Sequence, residues 1–206
     1  MAVKLPLCPC IQFGLTLMLL VVFGCHYPRS NARTQRIEQL ALTNLFDLHG
    51  QSIDPFQSSD TTAIVFLFVR TDCPISNRSA PEMQRLRKKY PRMTFWLVYP
   101  DADTTRAEIE NHIQDYDLAG FKIIRDPQHA LVKKAGVRVT PEAAVFSADG
   151  RQLYHGRIDN RYVDVGKERP APTQRDLDDT LKSILSGKPI ANRSTTAVGC
   201  YIPELP

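Results

Sequence analysis

Residues 61–69 (Thr-Thr-Ala-Ile-Val-Phe-Leu-Phe-Val) are almost continuously apolar and β-branched. A strand with no alternating wet side is one buried on both faces, so this stretch is predicted to be a central strand. Arg70-Thr71-Asp72-Cys73-Pro74 breaks it sharply. Ala80 to Tyr90 then reads as a helix with Met83, Leu86 and Tyr90 on one face and Arg85, Lys88 and Lys89 outward. Met93 to Tyr99 is a second buried strand. It is followed by a helix opened by a capping box, Thr105 to Glu108, with Ile109 and Ile113 one turn apart. A βαβα unit of this kind predicts parallel strands.

The second half has a different rhythm. Phe121 to Ile124 is a short strand candidate, and Gln128 to Lys134 a short helix closed by Gly136. Ala143 to Phe146 and Gln152 to Ile158 are strand-like, and Asp149-Gly150 between them marks a tight antiparallel hairpin. Thr173 to Asp176 opens a last helix carrying Leu177, Leu181 and Leu185, which stops at Gly187 and Pro189. The sum is an α/β domain with a mixed central sheet flanked by helices, spanning 38–190, and a tail at 191–206 that carries Cys200.

The chain has 206 residues, 43% hydrophobic and 23% charged, the balance of one packed globular domain. Its 26 basic and 22 acidic residues are scattered. The densest basic run is Arg85-Leu86-Arg87-Lys88-Lys89, a poor nucleic-acid footprint, so no nucleic-acid partner is expected. Ile11 to Phe23 is apolar but short of the ~20 residues of a spanning helix, which marks residues 1–24 as a signal peptide. Gly24-Cys25 resembles the bacterial lipoprotein cleavage box, with Cys25 as the lipidated residue, although Phe23 is atypical for it; the alternative is a plain secretory leader. Residues 25–37 then form a tether. The expected address is exported, periplasmic or cell-envelope, with the membrane as a partner through the lipid.

With the leader removed, the cysteines are Cys25, Cys73 and Cys200. Cys73 stands where a buried strand hands over to a helix, and unpaired amides at a helix N-terminus favour thiolate over thiol. Arg70 and Arg78 add to that effect and Asp72 opposes it. The competing reading is an inert buried cysteine. His26, His49, His112, His129 and His155 show no ligand spacing, and no metal or other cofactor is expected.

Cys73-Pro74-Ile75-Ser76 followed by Ala80-Pro81-Glu82 resembles the active-site helix of the thioredoxin superfamily. Thr140-Pro141, before the Ala143 strand, is similar to its cis-proline loop. The segments TDCPISNRSAPEM, VTPEAAVFSADG and YHGRIDNRY resemble more narrowly the bacterial redoxins grouped with alkyl hydroperoxide reductase and thiol-specific antioxidant proteins. The resemblance covers about residues 40–186 and implies a thioredoxin-like fold in which a redox sulfur faces Pro141. Ser76 replaces the second cysteine, so a mixed disulfide at Cys73 cannot be resolved within the helix. Leu67 stands where thioredoxin has a buried acid, and Arg70 and Phe66 where peroxiredoxins have their Thr or Ser and Pro.

Cys200 is then a candidate resolving thiol on a mobile tail; the alternatives are a structural disulfide or a lone surface thiol. Arg157, with Asp159 and Arg161, belongs to a charged cluster better read as ion-paired, yet is the best arginine to support a thiolate. The implied activity is an exported thiol oxidoreductase acting on a thiol- or disulfide-bearing protein or a small thiol. A thiol peroxidase acting on peroxide is the alternative. A metallochaperone, which would need a ligand at Asn77, and a binding-only domain rank behind these.

Overall fold

The computed structural model describes residues 44–57 and 61–205. The leader, Cys25 and the tether lie outside the described residues. Five strands form the main sheet: β1 (Ile64–Phe68), β2 (Thr94–Tyr99), β3 (Lys122–Arg125), β5 (Glu142–Phe146) and β6 (Gln152–Gly156), in the order β3-β2-β1-β5-β6. β1, β2 and β3 are parallel, β5 runs antiparallel to β1, and β6 antiparallel to β5. The sheet is therefore mixed, with the expected break in direction after the βαβα unit. All five residues of β1 are buried, which is why its sequence does not alternate.

Between the strands lie α1 (Pro74–Lys89), α2 (Arg106–Asp115) and α3 (Ala130–Ala135), and α4 (Asp176–Leu185) follows β6. Val65 and Leu67 of β1 point into one core with Met83 and Leu86 of α1, Ile109 of α2, and Leu177 and Leu181 of α4. Ile64, Phe66 and Phe68 point into a second, against Leu131, Val132 and Ala135 of α3. Successive residues of one strand thus serve opposite layers, and each large side chain so buried contributes roughly 1.5–3 kcal/mol. Among the described residues no helix is long and apolar enough to cross a membrane.

Several boundaries differ from the expected ones. α1 begins at Pro74, with Cys73 as its N-cap and Pro at the first helical position, rather than at Ala80. The Thr105 capping box forms, and Gly136 closes α3 in the left-handed region. The opening expected at Thr173 does not cap α4: its N-cap is Arg175, whose side chain makes no capping bond and pairs with Glu82 at 2.8 Å instead, while Thr173 is held by Asn160, whose Nδ2 donates to Oγ1 at 2.8 Å. Leu185 at the end of α4 is 42% exposed. Two small antiparallel ladders have no hydrophobic signature: β7 (Tyr162–Asp164) with β8 (Lys167–Glu168), and β4 (Val139–Thr140) with β9 (Cys200–Tyr201). The second stitches the tail to the domain, so the fold does not end at residue 190.

Candidate active site

The site is assembled at the carboxyl end of β1, where the chain enters α1. Cys73 accepts the first intrahelical bond through its carbonyl, from the Asn77 N–H at 3.0 Å. Its side chain lies where the first turn of a helix presents amides without intrahelical partners. Facing it is the Thr140–Pro141 peptide, whose bond is cis. The Cys73 thiol donates to the Thr140 carbonyl at 3.0 Å, and Cys73 Sγ lies 2.6 Å from Cys200 Sγ. Both are free cysteines. A disulfide has a bond of about 2.0 Å, so little closure separates these sulfurs from one.

Cys200 reaches this place because β9 pairs with β4: Thr140 opposes Cys200, and Val139 opposes Tyr201. The Ile202 N–H donates to the Arg138 carbonyl at 3.0 Å. Gly199 is required by packing, since a Cβ there would stand 2.2 Å from the Thr140 oxygen. Arg70 closes the other side: its guanidinium donates to Asp101 at 2.7 Å, to Asp72 at 3.0 Å and to the Tyr201 carbonyl at 3.1 Å. The tail therefore covers Cys73, which is 0% exposed. Its cover is a two-residue ladder rather than the apolar core.

The two sulfurs are electrically unequal. Burial pushes the Cys73 thiol up, but hydrogen bonding from Cys200, then from the Ser76 hydroxyl and amide, and then from Thr140, outweighs it and holds the thiol below its ordinary value. The hydroxyls of Ser76 and Thr140 are buried and have no hydrogen-bond partner among the described residues, which leaves both free to turn toward a charged sulfur. Burial, the bond to Cys73 and the charge of Cys73 push Cys200 up to about 12, against the pull of Arg70. Of the pair, Cys73 is therefore the sulfur that ionises first and Cys200 the one that keeps its proton longer.

Cys73, Ser76, Thr140, Pro141 and Cys200 come together; Arg157 does not join them. Its guanidinium donates to Asp176 at 2.7 Å and to Gln174 at 2.8 Å, which ties β6 to the start of α4. Arg157 is therefore ion-paired, as its charged cluster suggested, and its guanidinium is taken up by Asp176 and Gln174 rather than offered to the thiolate. Arg78 is turned away too, 3.0 Å from Glu168 in the β7–β8 hairpin. Among the described residues, no group of three or more His, Cys, Asp or Glu side chains is placed to hold a metal ion. A cavity of about 400 Å³ opens beside the loop before Cys73, lined by Arg70, Asp72, Asp101, Asp103 and tail residues Pro203 to Leu205.

Sequence reasoning missed the support beneath the cysteine. The Tyr99 hydroxyl lies 2.8 Å from His112 Nδ1, and His112 Nε2 lies 2.9 Å from Asn77 Oδ1. The Asn77 amide donates to the Thr71 carbonyl at 3.1 Å, holding the loop that carries Cys73. Directionality assigns the tautomer: Nε2–H donates to Asn77 and Nδ1 accepts from Tyr99. The available signal was position, since His112 falls on the same helical face as Ile109. Glu142 is a second such residue; it is buried, and its carboxylate accepts from the Arg138 and Val139 amides at 3.0 and 3.4 Å, bracing β4.

A mixed sheet with this strand order, a cysteine capping the first helix and a facing cis-proline loop define an α/β protein of thioredoxin-like fold. Solved structures bear out the fold. An uncharacterized conserved protein from Geobacillus kaustophilus matches with a TM-score of 0.68 and 18% identity, covering 79% of this chain and 88% of that one. A hypothetical protein from Sinorhizobium meliloti matches at 0.65 and 21%, covering 77% and 88%. A thioredoxin-like protein from Aeropyrum pernix matches at 0.55 and 16%, covering 78% and 98%.

Among curated proteins, the chain is similar to the thiol-disulfide oxidoreductases ResA of Bacillus thuringiensis and Bacillus cereus. Identity to each is 26% over 107 residues, 52% of this chain and 61% of the relative, so the match spans about three fifths of those relatives' length. No protein-family model matches the chain.

Proposed function

We propose that this chain is an exported thiol-disulfide oxidoreductase of the redoxin type, with Cys73 as nucleophile and Cys200 as the thiol that resolves it. The observation that carries the reading is the 2.6 Å approach of the two sulfurs across the β4–β9 ladder. Cys73 attacks one sulfur of a partner disulfide, forming a mixed disulfide and releasing the first partner thiolate. Cys200 loses its proton, attacks Cys73 Sγ and expels the second partner thiolate, which takes up that proton. Ser76 and Thr140 serve the attacking sulfur with hydroxyls, while Pro141 shapes the wall opposite it. The similarity to ResA supports a protein thiol or disulfide as substrate. The leader, a lipid on Cys25 and a periplasmic or cell-envelope address belong to the same proposal and rest on residues 1–37 of the sequence.

The narrower place among alkyl hydroperoxide reductase and thiol-specific antioxidant relatives rests on the segments around Cys73, Pro141 and Arg157. A peroxide substrate finds less support in the geometry. The arginine nearest Cys73 in sequence, Arg70, is engaged by two carboxylates and a carbonyl. The test is disulfide mapping by mass spectrometry after diamide. A Cys73–Cys200 linkage, absent in Cys73→Ser and in Cys200→Ser, is expected; two cysteines that stay reduced or link only to outside thiols would refute the reading.

A further inference from the structure

The tail is held at two places, and only one of them is the sulfur pair. The other lies at residues 193–195, against the far edge strand of the main sheet. The His155 N–H donates to the Arg193 carbonyl at 3.1 Å, and the Thr195 N–H returns to the His155 carbonyl at 3.2 Å. Thr195 Oγ1 accepts from the Arg157 N–H at 3.1 Å and lies 2.7 Å from the Tyr154 hydroxyl. This seat exists because residue 156 is glycine: at φ +142 it leaves a niche, and a Cβ there would stand 2.3 Å from both the oxygen and Oγ1 of Thr195.

Five Cα-to-Cα steps lead from Thr195 to Cys200, a reach of roughly 17 Å at full extension. While Thr195 is seated, Cys200 can leave Cys73 but cannot go far. The second hold is the two-residue β4–β9 ladder with Gly199 against Thr140. The first hold uses interactions that do not involve either sulfur.

We propose that Thr195, seated over Gly156, is the pivot of the tail and a positioning residue for Cys200. The 199–202 half detaches to admit a partner to Cys73, while the 193–195 half stays bound and keeps the resolving thiol at high local concentration. The proposal deepens the function above and rests on its reading of Cys200 as resolving thiol. With glutathione disulfide as the probe, Cys73 displaces one glutathione thiolate, and Cys200 displaces the second. Two protein thiols are oxidised by two electrons, and one glutathione disulfide is reduced to two glutathiones. A short, anchored linker makes the second step intramolecular at high effective concentration, and loosening the anchor lowers that concentration.

The experiment exposes the reduced protein to glutathione buffers and measures, by mass spectrometry, the ratio of Cys73–Cys200 disulfide to Cys73–glutathione mixed disulfide. Thr195→Val keeps the shape and removes the hydroxyl, and is expected to lower the ratio about tenfold. Thr195→Ser restores it to within twofold. The pH profile of Cys73 alkylation is expected to keep its midpoint in both variants, because neither touches the sulfur. Tyr154→Phe, which removes one of the bonds to Thr195, provides a milder second variant with a smaller fall. A ratio in Thr195→Val and in Tyr154→Phe equal to that of the unaltered protein would overturn the pivot. An unaltered protein that itself stops at the mixed disulfide would instead refute Cys200 as resolving thiol, which separates the two failures.

Discussion

Thr140 and Cys200 oppose each other in an antiparallel ladder, and the Thr140 carbonyl that accepts from Cys73 lies 2.2 Å from where a Cβ on Gly199 would be. The cis-proline loop, the nucleophile and the tail therefore meet at one peptide group. Backbone atoms cannot yield as a flexible side chain can, so this crowding makes Gly199 the tightest constraint on tail docking.

Gly199→Ala is expected to force the 199–202 segment off β4. Losing roughly 1–2 kcal/mol of docking corresponds to a 5- to 30-fold rise in the open population. Iodoacetamide should alkylate Cys73 faster by about that factor, with slower formation of the Cys73–Cys200 disulfide. An alkylation rate equal to that of the unaltered protein would show that the tail does not guard the sulfur.

Cys200→Ala keeps most of the cover over Cys73 but removes its strongest donor. Burial, which opposes ionisation, then acts with less compensation, and the Cys73 pKa rises. Cys200→Ser retains an O–H donor and is expected to stay closer to the unaltered value, and Ser76→Ala to shift upward. The midpoint of the thiolate absorbance near 240 nm against pH, or of the alkylation rate, measures each; a lower midpoint in Cys200→Ala would contradict the assignment.

His112 is 3% exposed, and burial pushes its pKa below the ordinary value, opposed by Asp115. A base with a depressed folded pKa binds protons more readily when unfolded. Its contribution to stability is therefore complete above the unfolded value near 6.5 and is lost as pH falls from there through the folded value. Melting temperature should drop across that window. In His112→Gln the drop should flatten, at the cost of a lower plateau at neutral pH from the broken link between Tyr99 and Asn77. An unchanged slope in the variant would remove His112 as its source.

Asp178 joins α4 to α1: Arg85 and Lys89 each approach its carboxylate at 2.7 Å, and the Tyr90 hydroxyl donates to it. Burial raises its pKa, but bonds from Lys89, Tyr90 and Arg85 outweigh that and hold it at about 2. A depressed acid contributes stability that is present above its unfolded pKa and lost as pH falls through the folded one. With both cations partly solvent-screened, Asp178→Asn is expected to cost about 1–2 kcal/mol at pH 7 and nearly nothing at pH 2. Urea denaturation at the two pH values tests this; an equal loss at both would indicate a packing defect instead.

Elements whose signal is local were legible. The unbroken apolar run of β1, the Thr105 capping box, Gly136 after α3 and the hairpin at Gly150 all express rules that act within a few residues, and each appears where expected, although β1 begins three residues later than the run does. Thr173 misled because its hydroxyl and amide find Asn160, thirteen residues away, instead of capping α4. Residues 196–202 carry no periodicity, since two residues of ladder need none, and so the tail's docking was invisible.

The amino-acid order by itself determined the mixed sheet, the cysteine at the head of α1, the serine where a second cysteine is usual and the proline opposite. These are matters of hydrophobic pattern and of neighbours along the chain. Tertiary structure alone decided that Cys200 lies on Cys73 across 127 positions, that Arg157 is bound by Asp176, and that His112 props Asn77. Such contacts depend on which surfaces meet when the layers pack, and linear spacing carries no record of that distance.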